Sequence, residues 1–120
     1  MLLVDTSVWV DHFRRGDAGL AARLRDGGVL AHPVVVEELA CGNLANRQEV
    51  LGLLGALPKA PSATHEELLS FIEKERLFGR GLGAGDVQLL AAARLGRCRL
   101  WTRDKALLRE AERLGVAEEG

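Results

Sequence analysis

The chain has few aromatic residues and almost no excess charge, and both shortages narrow the functions open to it. Its 120 residues include no tyrosine, three phenylalanines and two tryptophans. Binding of single-stranded nucleic acid by stacking bases on a row of aromatic rings is therefore disfavoured. The formal net charge is −1, whereas a domain that binds nucleic acid through its overall charge is usually basic. A nucleic-acid function would have to depend on local charge or on bound metal ions.

Cysteines and long apolar runs are also scarce. The two cysteines, Cys41 and Cys98, stand in a chain without a recognisable export signal. We therefore expect two reduced, buried thiols in a cytoplasmic protein, and no disulfide. No apolar run approaches the roughly 18 residues of a membrane helix, so we expect no membrane partner. Because 48% of the residues are hydrophobic, the composition predicts one folded domain over residues 1–120 with a modest core.

Short apolar runs alternate with helical patterns along the chain. Residues 1–4, 29–31 and 99–102 are predicted strands, and residues 57–63 and 116–117 are candidates for one more strand each. Strands that alternate with helices predict an α/β fold with a parallel sheet and right-handed crossovers. The predicted helices cover 7–14, a segment capped by Asp17, 34–41, 47–54, a segment from the capping box Thr64-x-x-Glu67 to Leu77, 87–95 and 105–114.

Four acidic positions stand where such a fold would bring them together. Asp5 and Asp104 each follow a predicted strand, Asp86 opens a helix after a glycine-rich run, and Glu38 or Glu37 lies on a largely apolar helix. Ligands of open α/β sheets bind at the edge where parallel strands end. Clustered carboxylates can hold Mg²⁺ or Mn²⁺, and such ions activate water for phosphodiester hydrolysis.

Each of these acids also has a purely structural interpretation. Asp5, Asp86 and Asp104 sit where helix N-caps belong, and aspartate is a preferred N-cap. One of Glu37 and Glu38 must be an ordinary solvated helix residue. Taken singly, each aspartate is better explained as a cap, and only their common placement favours a metal site.

The glycine-rich run and the hydroxyl groups offer weaker alternatives. Residues 79–85 contain four glycines but lack the Gly-Lys-Ser/Thr ending of a nucleotide-binding loop. Ser7 and His12 are five residues apart on one predicted helix and do not face each other. Nucleotide binding by this loop and nucleophilic catalysis by this pair are both disfavoured.

Four segments, in this order and at these spacings, resemble the motifs of PIN-domain ribonucleases, and within that group those of the VapC toxins of prokaryotic toxin–antitoxin modules. The segments are LLVDTSVWVDHF, VVVEELACGN, GLGAGDVQLLAAA and LWTRDKAL. Together they cover nearly the whole chain. The resemblance implies a PIN-like three-layer α/β/α fold with a short parallel sheet of four to five strands.

The resemblance also implies which residues form the site. Asp5, Glu38, Asp86 and Asp104 match the acids of the family, which are catalytic and bind the metal. Glu38 is preferred to Glu37 because the family's glutamate directly precedes a leucine, here Leu39. The residues expected to support the site are Thr6, Ser7 and Thr102, and those expected to bind RNA are Arg103, Lys105 and Arg80. The basic residues around Asp104 have a plainer interpretation as a solvated face.

The function implied by the resemblance is that of a Mg²⁺- or Mn²⁺-dependent endoribonuclease, the toxin of a toxin–antitoxin pair. It further implies a homodimer and a VapB-type antitoxin whose tail covers the acidic site. A housekeeping PIN nuclease and a catalytically silent binding module remain the alternatives. One position departs from the family pattern, because Gly85 precedes the third acid where relatives carry a bulky residue, which leaves the rigidity of this loop open.

Overall fold

Three short parallel strands form the centre of the fold. A computed structural model describes residues 1–118, and within them the strands are β1 (Leu2–Val4), β2 (Val29–Leu30) and β3 (Arg99–Trp101). Their order in the sheet is β2-β1-β3, and Leu3 of β1 pairs with Leu30 on one side and Leu100 on the other. All three residues of β1 are buried, as expected of a strand with neighbours on both sides and helices over both faces. The predicted α/β fold with a parallel sheet is confirmed.

The predicted number of strands is wrong, since the described residues contain three strands and not four to five. Residues 57–63 contribute one bridge, between Lys59 and Ala31. Pro58 and Pro61 flank that bridge, and proline has no N–H to continue a ladder. The second candidate strand likewise makes a single bridge, between Ala117 and Leu100, directly after a turn at Gly115 with φ of 75°.

Seven helices surround the sheet within residues 1–118. Side chains that accept a hydrogen bond from the first turn begin five of them: Asp5, Asp17, His32, Thr64 and Asp104. The predicted capping box at Thr64 and Glu67 is confirmed. The helices are α1 (Thr6–Arg15), α2 (Ala18–Arg25), α3 (Pro33–Ala40), α4 (Arg47–Ala56), α5 (His65–Glu75), α6 (Ala84–Gly96) and α7 (Lys105–Arg113).

Helix α6 begins three residues earlier than the sequence predicts. Gly83 is its N-cap, so Asp86 lies inside the first turn and does not occupy the cap position. The backbone N–H of Gly83 donates to Asp86 Oδ2 at 3.0 Å. This bond stabilises a helix start in which the carboxylate folds back on the turn before it.

Helix α6 is also the most deeply buried helix of the fold. Six of its residues are buried, including Leu89, Leu90 and the run 91–93. The helix contacts α3, α5 and β3, which explains why its sequence is apolar on nearly every face. Its first turn is thereby fixed close to the ends of the strands.

The state of the two cysteines and the lengths of the helices can be compared with the sequence expectations about thiols and membrane helices. Both cysteines are free, and Cys98 is buried, but Cys41 is exposed at the end of α3, so the prediction of burial is wrong for Cys41. Among residues 1–118, every helix is too short or too polar to cross a bilayer.

Candidate active site at the edge of the sheet

Asp5 is the buried centre of the polar cluster at the carboxyl ends of β1 and β3. Its side chain is 6% exposed, and its backbone N–H donates to the carbonyl oxygen of Trp101 at 2.9 Å. The Ser7 hydroxyl donates to Asp5 Oδ2 at 2.7 Å and the Thr102 hydroxyl donates to the same atom at 2.8 Å. A carboxylate needs such donors when it is buried. The capping bond from the Ser7 N–H, at 3.4 Å, is the longest of the three.

The two hydroxyl groups also hold the loop after β3. The backbone N–H of Arg103 donates to Ser7 Oγ at 2.9 Å, and that of Asp104 donates to Thr102 Oγ1 at 3.1 Å. The loop that carries Asp104 is therefore bonded directly to the turn that carries Asp5. Ser7 and Thr102, two of the residues predicted to support the site, both bond to Asp5 and to this loop.

Glu38 reaches the same edge from α3. The Thr6 hydroxyl donates to Glu38 Oε1 at 2.6 Å, which connects α3 to the first turn of α1. Gly85 of α6 lies close by, because a Cβ built on it would meet Glu38 Oε2 at 3.6 Å and Val34 Cγ1 at 3.1 Å. The glycine that departs from the family pattern therefore lets α6 approach α3 closely, inside a helix and not in a loose loop.

Asp86 is half-buried and lies within the electrostatic influence of the other aspartates. Burial raises the pKa of its carboxyl group, the Gly83 N–H opposes that rise, and the charges of Asp104 and Asp5 add to it. A carboxyl group beside other carboxylates is harder to ionise. The raised pKa of Asp86 therefore indicates that Asp5, Asp86 and Asp104 share one region.

Asp104 caps α7, since its Oδ1 accepts from the Leu107 N–H at 2.9 Å. Asp5, Asp86 and Asp104 thus all have local helix-starting bonds, as the structural interpretation requires. These bonds do not exclude a second role, because a carboxylate has lone pairs for several partners.

A divalent cation fits the chemistry of this acidic edge. Within the described part of the chain, the ion pairs of Arg and Lys go to other acids and leave Asp5, Glu38, Asp86 and Asp104 without a positive partner. Carboxylate oxygens are the ligands that Mg²⁺ and Mn²⁺ prefer. As the side chains of residues 1–118 stand, no three of them are close enough to hold one ion. Glu38, Asp86 and Asp104 each bond to a nearby donor, and these carboxylates would have to turn to share an ion.

An open groove runs away from Glu38 between α1, α3 and α4. Its volume is about 480 Å³, and Thr6 and Glu38 line the end nearest the acids. Its floor is apolar, with Val10, Phe13 and Leu39 among the lining residues. The sequence analysis missed this groove, because α4 is placed over α3 by packing that no local pattern encodes.

The three residues predicted to bind RNA differ in their surroundings. Lys105 is exposed at the start of α7 and has no carboxylate partner among residues 1–118. Arg80 lies 3.7 Å from the buried Glu110. Arg103 bonds to Asp11 and Asp17, an ion-pair cluster that the sequence did not indicate, since Asp17 could be recognised only as a cap.

The sequence and the fold have known relatives. A family model described as the PIN domain matches residues 2–114. Over 118 residues the chain is 49% identical to "Ribonuclease VapC32" of Mycobacterium tuberculosis, which covers 98% of this chain and 95% of the relative. In fold it is similar to FitAcB from Neisseria gonorrhoeae, with a TM-score of 0.62 at 21% identity, over 98% of this chain and 95% of the other. It is also similar to PAE2754 from Pyrobaculum aerophilum, with a TM-score of 0.61 at 18% identity, over 94% and 85% of the two chains.

Proposed function

This chain belongs to the PIN-domain family, and we propose that it is a metal-dependent endoribonuclease, the toxin of a toxin–antitoxin pair. The proposal draws on a relative named as a ribonuclease at 49% identity over nearly the full length of both chains. The observation that carries it is the Asp5 carboxylate, buried at the end of β1 and bonded by Ser7 and Thr102 beside the raised-pKa Asp86. A helix cap alone needs neither this burial nor the two hydroxyl donors.

We assign the metal ligands to Asp5, Glu38, Asp86 and Asp104, with Mg²⁺ or Mn²⁺ as the ion. A bound divalent ion of this kind lowers the pKa of water and stabilises negative charge on phosphoryl oxygens. In this proposal water, and no side chain of the protein, attacks the phosphodiester. Four carboxylates at one edge repel one another, and a cation relieves this repulsion.

The neighbouring polar residues orient these ligands. Ser7 and Thr102 restrain Asp5 through bonds of 2.7 and 2.8 Å, and the Thr6 bond of 2.6 Å holds Glu38 at this edge before its carboxylate turns toward the ion. Residues that hold a ligand in place raise metal affinity, because less ordering remains to be done on binding. Lys105, exposed one residue after Asp104, is placed to contact an RNA phosphate, a contact that positions RNA without reading its sequence.

The partners follow from the same assignment. A VapB-type antitoxin would inhibit by presenting an arginine or lysine to the acids, which replaces the charge of the metal with that of a side chain. The groove beside Glu38 would take an apolar segment of the same partner, since its floor contains Val10, Phe13 and Leu39. We include a homodimer in the proposal, with the exposed apolar side chains Leu69, Phe78 and Leu95 as candidates for its interface.

Cleavage of RNA by metal-free protein tests the proposal. Purified wild type should cut total cellular RNA when Mg²⁺ or Mn²⁺ is added and stop when EDTA is added. Asp5→Asn should be inactive at every Mn²⁺ concentration while remaining folded. The same pair of proteins tests the toxin role, because expression of the wild type should arrest growth and expression of Asp5→Asn should not. Undiminished cleavage in EDTA would refute the mechanism, and normal growth with abundant folded wild type would refute the toxin assignment.

A further inference from the structure

We propose that Arg103 is a positioning residue that locks the loop between β3 and α7, and that it does not contact RNA phosphate. Its guanidinium joins this loop to the end of α1 and the start of α2, and so fixes Thr102 and Asp104 on either side of it. The proposal rests on the assignment of Asp5 and Asp104 as metal ligands. Arg103 is not one of the four acids, but the arrangement of Asp5 and Asp104 depends on it.

The contacts of Arg103 use both terminal nitrogens and one face of the guanidinium. Nη1 donates to Asp11 Oδ2 at 2.7 Å, and Nη2 donates to Asp17 Oδ2. The group also lies over the ring of Trp101, with Cζ 5.4 Å from the ring centroid. A planar guanidinium held at two nitrogens and one face has little rotational freedom left.

The carboxylate partners are themselves held in place. The Asp17 N–H donates to His12 Nδ1 at 3.0 Å, and Asp17 Oδ1 accepts from the Leu20 N–H at 3.0 Å. Asp17 is thus bonded at its backbone, at one oxygen by α2 and at the other by Arg103. The side chain of Asp17 is 18% exposed and that of Asp11 is 28% exposed, so this cluster is partly shielded from water.

The local charge argues against a phosphate contact. The Asp11 and Asp17 carboxylates face the Arg103 guanidinium and neutralise its charge, and Arg15 pairs with Asp11 from the outer side. Arg103 lowers the pKa of both Asp11 and Asp17, chiefly through its hydrogen bonds to them. A phosphate that approached Arg103 would meet the two carboxylates already bonded to its terminal nitrogens, and their negative charges would oppose it.

The position of Arg103 in the chain gives the cluster its effect on the site. Thr102 bonds to Asp5, and the Arg103 N–H bonds to Ser7. Asp104 follows directly and is exposed. Without the bonds of the Arg103 side chain to Asp11 and Asp17, the loop is held only by its bonds to Asp5 and Ser7. The position of Asp104 relative to Asp5 is then less restrained. Loss of a bond made directly to a metal ligand typically lowers metal affinity about 10-fold to 100-fold, and loss of Arg103, which precedes Asp104 by one residue, should lower it by about the smaller factor.

Mn²⁺ titration and RNA binding in EDTA, with two opposite variants, test this role. Arg103→Ala removes the cation, whereas the double variant Asp11→Asn with Asp17→Asn keeps Arg103 and removes its partners. Arg103→Ala makes the protein more negative, and the double variant makes it more positive. A simple charge effect would therefore strengthen Mn²⁺ binding in Arg103→Ala and weaken it in the double variant. A positioning role predicts that both variants weaken Mn²⁺ binding by about tenfold or more. It also predicts that both bind a short RNA in EDTA within twofold of wild type.

Arg15→Ala is the matched control, because Arg15 also pairs with Asp11 but from the outer side, with its side chain 76% exposed. It should leave both measurements unchanged. Weaker RNA binding by Arg103→Ala in EDTA, with the salt dependence reduced by about one phosphate contact and Mn²⁺ affinity intact, would overturn the proposal. Unchanged Mn²⁺ affinity in both variants would also overturn it. If the wild type cuts no RNA but both variants still lose Mn²⁺ affinity, the positioning role stands and the nuclease assignment fails.

Discussion

The effect of a mutation on stability distinguishes a metal-ligand role from a purely structural role most clearly at Asp86. Its carboxylate bonds to the Gly83 N–H, as a residue of the first helical turn can do without any ligand. Its pKa is nevertheless raised, by burial and by the charges of Asp104 and Asp5. The ionised side chain is therefore unfavourable to the fold when no cation is present.

Asp86→Asn should raise the melting temperature in EDTA at neutral pH by a few degrees. An asparagine oxygen can still accept from Gly83, while like-charge repulsion of about 1 kcal/mol per pair in water is removed. Because the folded pKa lies above the ordinary value of 3.8, the wild type loses stability as the pH rises from 3.8 through the raised pKa. The difference between variant and wild type should therefore be small near pH 3.8 and grow to a plateau above it.

Glu49→Gln is the control for this comparison, since Glu49 is an exposed acid in the first turn of α4. It should lose only a small helix-dipole contribution and melt at or slightly below the wild-type temperature. Addition of Mn²⁺ should stabilise Asp86→Asn less than wild type. Equal shifts on adding Mn²⁺ would remove Asp86 from the site, and a lower melting point in EDTA would favour the capping role alone.

Individual residues also mark where sequence reasoning succeeds and where it stops. Asp5 and Asp104 could be located because Asp5 directly follows an apolar run and Asp104 comes three residues after another, and the ends of adjacent parallel strands must meet. The two ion pairs of Arg103 could not be predicted, because Asp11 and Asp17 reach it only when α1 and the start of α2 lie beside the loop after β3. Contacts between segments that are distant in the chain cannot be predicted from the spacing of residues within one segment.

At the level of elements, α6 connects the core to the site. Its buried run packs against α3, α5 and β3, and its first turn carries Asp86. Its last residue, Gly96, lies so close to Pro61 that a built Cβ would meet Pro61 Cδ at 2.9 Å. By contrast, a Cβ built on Gly52, inside α4, has no atom within 4 Å.

Gly96→Ala and Gly52→Ala should therefore change stability in opposite directions. The proline ring cannot move aside as a flexible side chain would, so Gly96→Ala should lower the free energy of unfolding by about 1 kcal/mol or more. Gly52→Ala should raise it by roughly 0.5–1 kcal/mol, because alanine is the better helix former. Urea denaturation of both variants at an unchanged slope measures these differences. A Gly96→Ala variant as stable as Gly52→Ala would contradict the packing of α6 on the loop at Pro61.

The errors of prediction at this level have local physical causes. The fourth and fifth strands reduce to single bridges because prolines flank Lys59 and a left-handed glycine precedes the pairing at Ala117. Helix α6 begins at Ala84 because Gly83 adopts the extended conformation of an N-cap and Gly85 adopts a helical conformation. Glycine permits both conformations, so the run of four glycines could not show where the helix begins.

For the whole molecule, the fold gathers acids that are far apart in the chain. Residues 5, 38, 86 and 104 come from the ends of β1 and β3 and from the helices α3 and α6. The parallel sheet predicts the meeting of the first and last of these. The approach of α3 and α6, which adds Glu38 and Asp86, depends on Gly85 at their contact, and Thr6 of α1 bonds to Glu38. The sequence singled out Asp86 and one of Glu37 and Glu38 as candidates, motif resemblance favoured Glu38, and hydrophobic patterns alone could not place either acid beside Asp5.

Mn²⁺ binding by metal-free protein is the measurement that tests the shared acidic site most directly. Calorimetric titration should detect binding to the wild type, and about tenfold or greater weakening in each of Asp5→Asn, Glu38→Gln, Asp86→Asn and Asp104→Asn, because each removes one oxygen ligand with its charge. Glu37→Gln, which changes the exposed neighbour of Glu38, should bind Mn²⁺ as the wild type does. If the four variants bind Mn²⁺ with wild-type affinity, the four acids do not share a metal site. An equal loss of Mn²⁺ affinity in Glu37→Gln would also contradict the proposed site.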